Sequence, residues 1–400
     1  MRLKYVADIN ANALTGNEDP GLGFDYLDIS AVGQGQLASD PVPMTLSEAP
    51  SRARRKVETG DTVVSTVRTY LRAVWHVDVP GDSLIVSTGF AVLSPRPTVD
   101  PRFLGWTVQS STFIEEVVAR STGVSYPAIN PEDIGDIYVP VPTPAEQRRI
   151  ADYLDAETAR IDEVIAKKER LAELIRTRDL GSVEQEVTDS ASQTGSVPLV
   201  PLRRVCSKII DGTHGTYERV LVGLPLLSAK NLAAGRVQIS ESESLISESD
   251  YQAICRSRRF QPGDILLGVI GASIGNAARL DVGDPTAFQR SVAALTASDI
   301  YNPTFLFHVT RSFSFQSQLA MLANQSAQAG VYLDTLASIR VPLPPLNVQE
   351  RIARRLEDRY RRSTELVRAI KRTIALMREH RQALITAAVT GQLKIPGVAA

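Results

Sequence analysis

The stretch Val139-Pro-Val-Pro-Thr-Pro-Ala-Glu-Gln-Arg-Arg149-Ile-Ala-Asp-Tyr-Leu154 returns late in the chain as Val341-Pro-Leu-Pro-Pro-Leu-Asn-Val-Gln-Glu-Arg351-Ile-Ala-Arg-Arg-Leu356. Each copy runs from a strand-like apolar stretch through a proline ramp into a long charged helix. A repeat of this length is too large for a solenoid unit. It implies a duplicated domain-plus-helix module, and so a protein that grips something at two places a set distance apart.

Upstream blocks keep the same order and nearly the same offset. Lys56-Val-Glu-Thr-Gly-Asp61-Thr-Val-Val-Ser-Thr-Val67 matches Arg259-Phe-Gln-Pro-Gly-Asp264-Ile-Leu-Leu-Gly-Val-Ile270. Ser87-Thr-Gly-Phe-Ala-Val-Leu-Ser94 falls over Arg290-Ser-Val-Ala-Ala-Leu-Thr296, and Tyr26-Leu-Asp-Ile-Ser30 over Pro225-Leu-Leu-Ser-Ala-Lys230. Each Gly-Asp pair is a turn signal opening an apolar, β-branched run, which reads as a hairpin entering a buried strand.

The chain has 400 residues, room for two or three domains with their own cores. Apolar content of 43% and charged content of 22% are those of a soluble globular protein. Cys206 and Cys255 are the only cysteines, so no disulfide framework is written here and a reducing cytoplasm fits. The N-terminal residues lack an apolar signal core, and runs such as Ile265–Ile270 are too short to span a bilayer. A net charge of −1 argues mildly against a nucleic-acid binder working alone. Charge is local, however. Arg52, Arg54, Arg55 and Lys56 cluster in one expected turn, and Arg256, Arg258 and Arg259 in the matching one.

The first helix is expected from Pro144, with Thr143 as its cap and Glu146 completing a capping box. Ile150, Leu154, Ile161, Val164, Leu171 and Ile175 form the seam of a coiled coil that stops near Leu180-Gly181. The second helix starts near Asn347, carries Ile352, Leu356, Leu366, Ile370, Ile374, Met377 and Leu384 on its seam, and ends at Thr390-Gly391. The polar segment between Ser182 and Ser196 reads as a flexible linker. The two apolar stripes are most simply buried against each other in an antiparallel rod. The expectation is a mixed α+β (α/β) chain with approximate two-fold symmetry: a globule at 1–143, a helix at 144–181, a linker at 182–198, a globule at 199–345, a helix at 346–391 and a tail at 392–400. Such an object is a spacer ruler, and duplex DNA offers equivalent faces every ~34 Å. Helices docked on separate partners are the alternative arrangement.

In order, these blocks resemble the specificity subunit of type I restriction–modification systems over nearly the whole chain. The two ramp-to-helix blocks resemble that family's central repeats. Ser65-Thr-Val-Arg68-Thr-Tyr70-Leu-Arg72 resembles its "TVRPYLR" hairpin, with Thr69 where proline is usual. Gly271-Ala-Ser-Ile-Gly275-Asn276 resembles the "G-x-[ST]-I-G" form of that hairpin. Ile210-Asp-Gly-Thr-His214-Gly-Thr216 resembles the "DGTH" loop that opens a recognition domain, and Leu384–Leu393 the C-terminal block. The resemblance implies two target recognition domains that each read half of a split DNA sequence. It implies helices that set the gap and dock methyltransferase subunits, with a restriction–translocase subunit completing the complex. S-adenosylmethionine, ATP and Mg²⁺ would then belong to the partner chains, and none to this one.

Base readout needs donors and acceptors placed in the major groove, while phosphate contacts only position the module. The candidate readers in the first globule are Arg68, Tyr70 and Arg72, with Arg54, Arg55 and Lys56 as phosphate anchors. In the second they are Thr213, His214, Thr216, Ser273, Asn276, Gln289 and Arg290. The plainer reading of these positions is ordinary loop polarity, with His214 only stabilising its turn.

Enzyme signatures are weak. Gly21-Leu-Gly23 precedes an expected strand and opens no helix, so it reads as a turn and not a cofactor loop. Asn302-Pro-Thr-Phe305 and Asn130-Pro-Glu-Asp133 lack the second proline of an amino-methyltransferase loop, and Asn302 reads as a helix start. Gly268-Val-Ile-Gly271-Ala-Ser-Ile-Gly275 has no Lys-Ser/Thr pair after it. The four histidines and two cysteines make no metal-ligand spacing. The chain therefore reads as non-catalytic. A coiled-coil adaptor that binds no DNA, and a self-contained DNA methyltransferase with a degenerate cofactor motif, remain the competing readings.

Overall fold

A computed structural model describes residues 1–78, 83–124, 126–194, 196–324 and 330–396. Residue 195 of the expected linker and residues 397–400 of the expected tail lie outside the described residues. The chain divides into two compact units, Met1–Lys168 with Arg372–Ala400, and Glu169–Lys371. Both boundaries fall inside long helices, so each unit contains a piece of both.

The first unit holds β1 (Ala7–Ile9), β2 (Gly23–Leu27), β3 (Val42–Thr45), β4 (Ala53–Lys56), β5 (Thr62–Ser65), β6 (Val74–His76), β7 (Leu84–Ser87) and β8 (Phe90–Pro95). These make two four-stranded sheets, β1-β8-β5-β6 and β3-β2-β7-β4. Helices α1 (Pro101–Gln109), α2 (Ser111–Arg120) and α3 (Pro131–Gly135) follow, and then α4 (Pro144–Leu180). All four residues of β5 are buried, as the continuous apolar run implied. Val64 faces a core shared with α1 and α2, and Val63 a second core containing Trp75, Phe90 and Val92. A strand covered on both faces selects a continuous β-branched run.

After α5 (Ser182–Thr194), the second unit holds β9 (Leu199–Pro201), β10 (Cys206–Asp211), β11 (Leu224–Pro225), β12 (Leu232–Ala233), β13 (Gly235–Val237), β14 (Leu245–Ile246) and α6 (Glu248–Arg258). It continues with β15 (Ile265–Gly268), β16 (Ala277–Arg279), β17 (Val292–Ala297), α7 (Pro303–Thr310), α8 (Phe313–Asn324), α9 (Leu333–Leu336), β18 (Arg340–Pro342) and α10 (Leu346–Val389). Its main sheet runs β10-β17-β15-β16-β13-β12. The first four strands repeat β1-β8-β5-β6, antiparallel at every pairing in both units. Both Gly-Asp turns close the same way: Asp61 accepts from the Glu58 N–H at 2.9 Å, and Asp264 from the Gln261 N–H at 3.0 Å. The duplication read from the sequence is a duplication of topology.

The proline ramps end in two equivalent clamps. Thr143 caps α4 in the expected box, with the Glu146 carboxylate accepting from its N–H at 2.9 Å and its hydroxyl at 2.8 Å. One residue further, the buried Gln147 amide accepts from the Asp100 N–H at 2.8 Å and donates to the Pro142 carbonyl at 2.9 Å. Asp100 is the N-cap of α1. In the second unit the buried Gln349 accepts from the N–H of Asn302, the α7 N-cap, at 2.8 Å. It donates to the carbonyls of Pro344 at 2.8 Å and Ile300 at 3.1 Å. Prolines cannot donate, so their carbonyls in a buried ramp require a partner from elsewhere. Asn302 starts a helix, as its sequence context implies, and Asn130 is the N-cap of another.

The long helices pair within each unit. In the first, Ile150 and Leu154 pack with Ile385, Ala388 and Val389, and further along Asp162 meets Arg381 at 3.0 Å. Rising numbers on one helix meet falling numbers on the other, so the pair is antiparallel. In the second unit Ser363 donates to Asp179 at 3.1 Å. The seam differs from the expected one at three positions. Val164, Leu171 and Leu366 are exposed, whereas Ile165 and Ala172 are buried. The true stripe on α4 passes through Thr158, whose hydroxyl is satisfied by the Leu154 carbonyl at 2.6 Å. A register counted on apolar residues alone skips such a position and slips by one.

The expected flexible linker is also corrected. Gly181 ends α4, but α5 begins at once at Ser182. Val183 is buried in the core of the second unit with Val187 packed beside it, and Glu186 lies 3.3 Å from Arg355. Two valines on one helical face suffice to dock a short helix whose composition is otherwise that of a tether. Among the described residues no helix is long and apolar enough to cross a membrane.

Gln349→Ala strands a backbone N–H and carbonyls at about 1–3 kcal/mol per group. Urea unfolding should show it to be more destabilising than Gln147→Ala, which strands fewer. Limited proteolysis should leave 182–194 uncut under conditions that nick an unstructured linker, and rapid cleavage there would contradict the docked helix.

Candidate nucleic-acid interface

The strand pairings gather the candidate loops at one end of each main sheet. In the second unit Asp211 ends β10 opposite Ala293, and Gly268 ends β15 opposite Val292. The loops after β10, after β15 and before β17 therefore emerge together. In the first unit β5 ends with Ser65 opposite Phe90 at the equivalent end.

The first tip is the β5–β6 connection. Thr69–Leu71 forms a tight turn between Arg68 at φ 49° and Arg72 at φ 56°. Both arginines are left-handed, a conformation costing about 1–3 kcal/mol for a residue with a Cβ. In the second unit the β15–β16 connection repeats the turn at Gly271–Ser273, with φ of 80° at Gly271 and 87° at Gly275. Arginine thus stands in the first tip where glycine stands in the second. Thr69, at the place of the family's usual proline, is buried and its hydroxyl meets that of Ser121 at 2.8 Å. Tyr70 and Leu71 are exposed.

The Arg68 guanidinium lies 5.0 Å from the centre of the Tyr126 ring, within cation–π range. Tyr126 comes from the loop between α2 and α3, a stretch with no motif that singles it out. That loop is tied to the tip because the Arg68 N–H donates to the Pro127 carbonyl at 2.7 Å and the Ile129 N–H to Thr66 at 2.9 Å. Asp28, Arg52, Val67, Arg68, Leu71 and Tyr126 line one cleft of about 590 Å³. The expected basic turn is a strand: Arg54, Arg55 and Lys56 lie on β4, and of that cluster only Arg52 lines the cleft. Arg54 donates to the Ser51 carbonyl at 3.2 Å, Arg55 is half-buried, and Lys56 is exposed. The matching cluster is not a turn either. Arg256 and Arg258 occupy the last turn of α6, and Arg259 is its left-handed C-cap.

In the second unit Thr213 is buried; its N–H donates to the Phe288 carbonyl at 2.8 Å and its hydroxyl meets Tyr217 at 2.7 Å. It bridges Gln289, and the Arg290 N–H donates to its carbonyl at 2.9 Å. Thr213, Gln289 and Arg290 are therefore brought together, with Arg290 and Thr216 exposed. His214 holds Asp211 at 2.5 Å, and Arg258 approaches the same carboxylate at 3.4 Å. That is the turn-stabilising contact of the plainer reading, made by an imidazole that stays exposed. Ser273 is half-buried and Asn276 exposed on the hairpin turn.

Each tip's scaffold is pinned to the long helices by a carboxylate two turns beyond the clamp. Asp155 accepts from Trp106 Nε1 at 2.8 Å and Arg102 at 2.7 Å. Glu357, its counterpart on α10, takes Arg279 of β16 in a two-pronged pair at 2.9 and 2.8 Å and faces His308 Nε2 at 3.3 Å. The His308 hydrogen bond, with Arg279, holds the Glu357 carboxyl down at about 2, while burial lowers the His308 imidazole. A neutral imidazole with its proton on Nε2 is the tautomer that donates to Glu357. The net charge conceals a further asymmetry, because α10 carries many more arginines and lysines than acids.

The chain thus carries two copies of one mixed α+β head, each clamped to paired helices and each presenting a different loop tip. The family model of the type I restriction modification DNA specificity domain matches residues 226–376. The chain is 22% identical over 317 residues to the type I restriction enzyme EcoKI specificity subunit of Escherichia coli K12, covering 76% of this chain and 68% of that one. It is 21% identical over 304 residues to the EcoBI specificity subunit of Escherichia coli, covering 70% and 64%. The matched stretch thus spans about two thirds of these relatives' own length. A solved chain from a study of complex assembly and conformational transition of the type I R-M system is 25% identical, with a TM-score of 0.69 over 98% of this chain and 97% of that one. The chain is thus similar, in part of its sequence and in its fold, to specificity subunits of type I restriction–modification systems.

Acid should weaken the second unit in two stages. With the His308 pKa lowered, the unfolded state takes up that proton first, so stability falls as pH drops below 6.5. With the Glu357 pKa depressed, its contribution is complete above 4.5 and is lost between 4.5 and about 2. Unfolding curves of Glu357→Gln should start lower at neutral pH and show a flatter acid limb than the parent.

Proposed function

We propose that this chain is the DNA-reading subunit of a type I restriction–modification complex, with each unit reading one half of a split, asymmetric target. The observation that carries the reading is a shared frame with divergent tips. Strand order, Gly-Asp turn, glutamine clamp and acidic pin recur, while the first tip offers Arg68, Tyr70 and Arg72 and the second offers Ser273, Asn276, Gln289 and Arg290. In this reading equal frames present each tip to its half-site in the same way, and unequal tips let the half-sites differ in sequence. Direct readout of this kind rests on side chains that reach base edges, and arginine and asparagine are suited to guanine and adenine.

In the same reading the paired helices set the number of base pairs between the half-sites and dock methyltransferase subunits. A restriction–translocase subunit completes the assembly. The partner chains bind S-adenosylmethionine, ATP and Mg²⁺ and perform the chemistry, and this chain contributes none. Its net charge of −1 makes it a weak DNA binder by itself. The basic surface needed for phosphate is then largely supplied by the assembled complex.

Exchanging residues 1–143 for those of a family member with another target should change one half of the methylated motif and leave the other intact. Genome-wide mapping of modified bases reads this out. A change in both halves, or in neither, contradicts one unit per half-site. Binding by the complex should weaken steeply with salt, and an affinity unmoved between 50 and 200 mM would argue against phosphate contact.

A further inference from the structure

We infer that Tyr126 fixes Arg68 as a guanine reader, so that the half-site read by the first unit contains a guanine contacted through N7 and O6. The inference rests on the proposed function and names what one tip recognises. Three observations converge on it.

First, backbone conformation separates side-chain need from fold need. Arg68 and Arg72 occupy the left-handed positions that Gly271 and Gly275 occupy in the second unit. The turn itself is built equally well by glycine. A guanidinium held at a strained position is there for its side chain. Second, among the described residues Arg68 makes no ion pair, whereas Arg2, Arg52, Arg96, Arg102 and Arg120 of the same unit each meet a carboxylate. Its fork is uncommitted. Third, the guanidinium lies within cation–π reach of an aromatic ring. The Tyr126 ring lies 5.0 Å away, and the hydrogen bond from Arg68 N to Pro127 O ties their backbones together. Tyr126 is 67% exposed, so the pair stands at the surface and is not part of a core.

A ring in cation–π contact restricts where the guanidinium sits without using up its N–H groups. Those groups match the paired acceptors O6 and N7 on the major-groove edge of guanine, and no other base presents two acceptors there. Adenine offers one acceptor beside a donor, which an all-donor fork cannot satisfy. Tyr126 is therefore a positioning residue and Arg68 the contacting one. The second tip has glycine at both positions and reads by another chemistry.

The test uses the chain assembled with its methyltransferase subunits and a duplex library randomised in both half-sites. The parent should require guanine at one position of the half-site assigned to residues 1–143. Arg68→Gly should relax that position about 5- to 150-fold and leave the other half-site unchanged. Its melting temperature should equal or exceed the parent's, because glycine suits the backbone. Tyr126→Ala should cost about 2- to 5-fold in discrimination, and Tyr126→Phe should restore it, since the ring and not the hydroxyl does the work. Placing 7-deazaguanine at the position should weaken the parent complex and leave Arg68→Gly unaffected. An unchanged motif in Arg68→Gly, relaxation at a base other than guanine, or indifference of the parent to 7-deazaguanine would overturn the inference while leaving the two-half reading intact. A parent complex with no sequence preference would instead overturn the proposed function itself.

Discussion

A buried glutamine amide at the start of each long helix is the constraint on which the rest of this structure depends. Gln147 and Gln349 each accept from the backbone N–H of a helix N-cap residue, Asp100 of α1 and Asn302 of α7, and each donates back to a proline-ramp carbonyl. The prolines of the ramp supply no N–H groups, and the helix N-cap has one to spare. One primary amide, with an acceptor and a two-proton donor, closes both accounts at a point where water is excluded. The consequence is directional: the head is held at one orientation to its own helix pair. Tip residues at the far end of the sheet inherit that orientation.

The acidic pins two turns further along serve the same purpose by a different route. Asp155 and Glu357 occupy equivalent positions but collect different donors, an indole and an arginine in one case, an arginine and an imidazole in the other. Conserving the acceptor while changing the donors lets each head repack independently. In the second unit the pin reaches β16, the strand leaving the hairpin turn, so Glu357 bears on the loop that carries Ser273 and Asn276. The aromatic surroundings, with Arg279 over Phe307 at 4.7 Å and Arg311 over Tyr360 at 4.1 Å, keep that charge network dry on one side.

The tips show where the copies stopped being copies. A left-handed residue at each end of the turn is demanded by the chain reversal, and glycine meets the demand without strain. The first unit meets it with arginine at both positions. Frame residues answer to packing and hydrogen bonding, which are alike in both units. Tip residues answer to whatever they touch, which need not be alike.

Much of this was legible in the sequence because it is encoded locally. The ramp-to-helix repeats, the capping box at Thr143 and Glu146, the Gly-Asp turns and the helix start at Asn302 depend on neighbours a few residues apart. The two-headed plan and the hairpin carrying Arg68, Tyr70 and Arg72 follow from such signals in order. Contacts between distant segments decided the remainder. Polar Thr158 belongs to the helix seam because its hydroxyl bonds within its own helix, which displaced Val164 and Leu171 from the seam. Val183 and Val187 turned an apparent tether into a docked helix because a core was waiting for them. Tyr126 became Arg68's partner through two backbone hydrogen bonds between loops far apart in the chain. Periodicity and turn chemistry are properties of short stretches and can be read from them; a side chain's partner is set by which surfaces the folded core brings within a few ångströms, and no short stretch contains that.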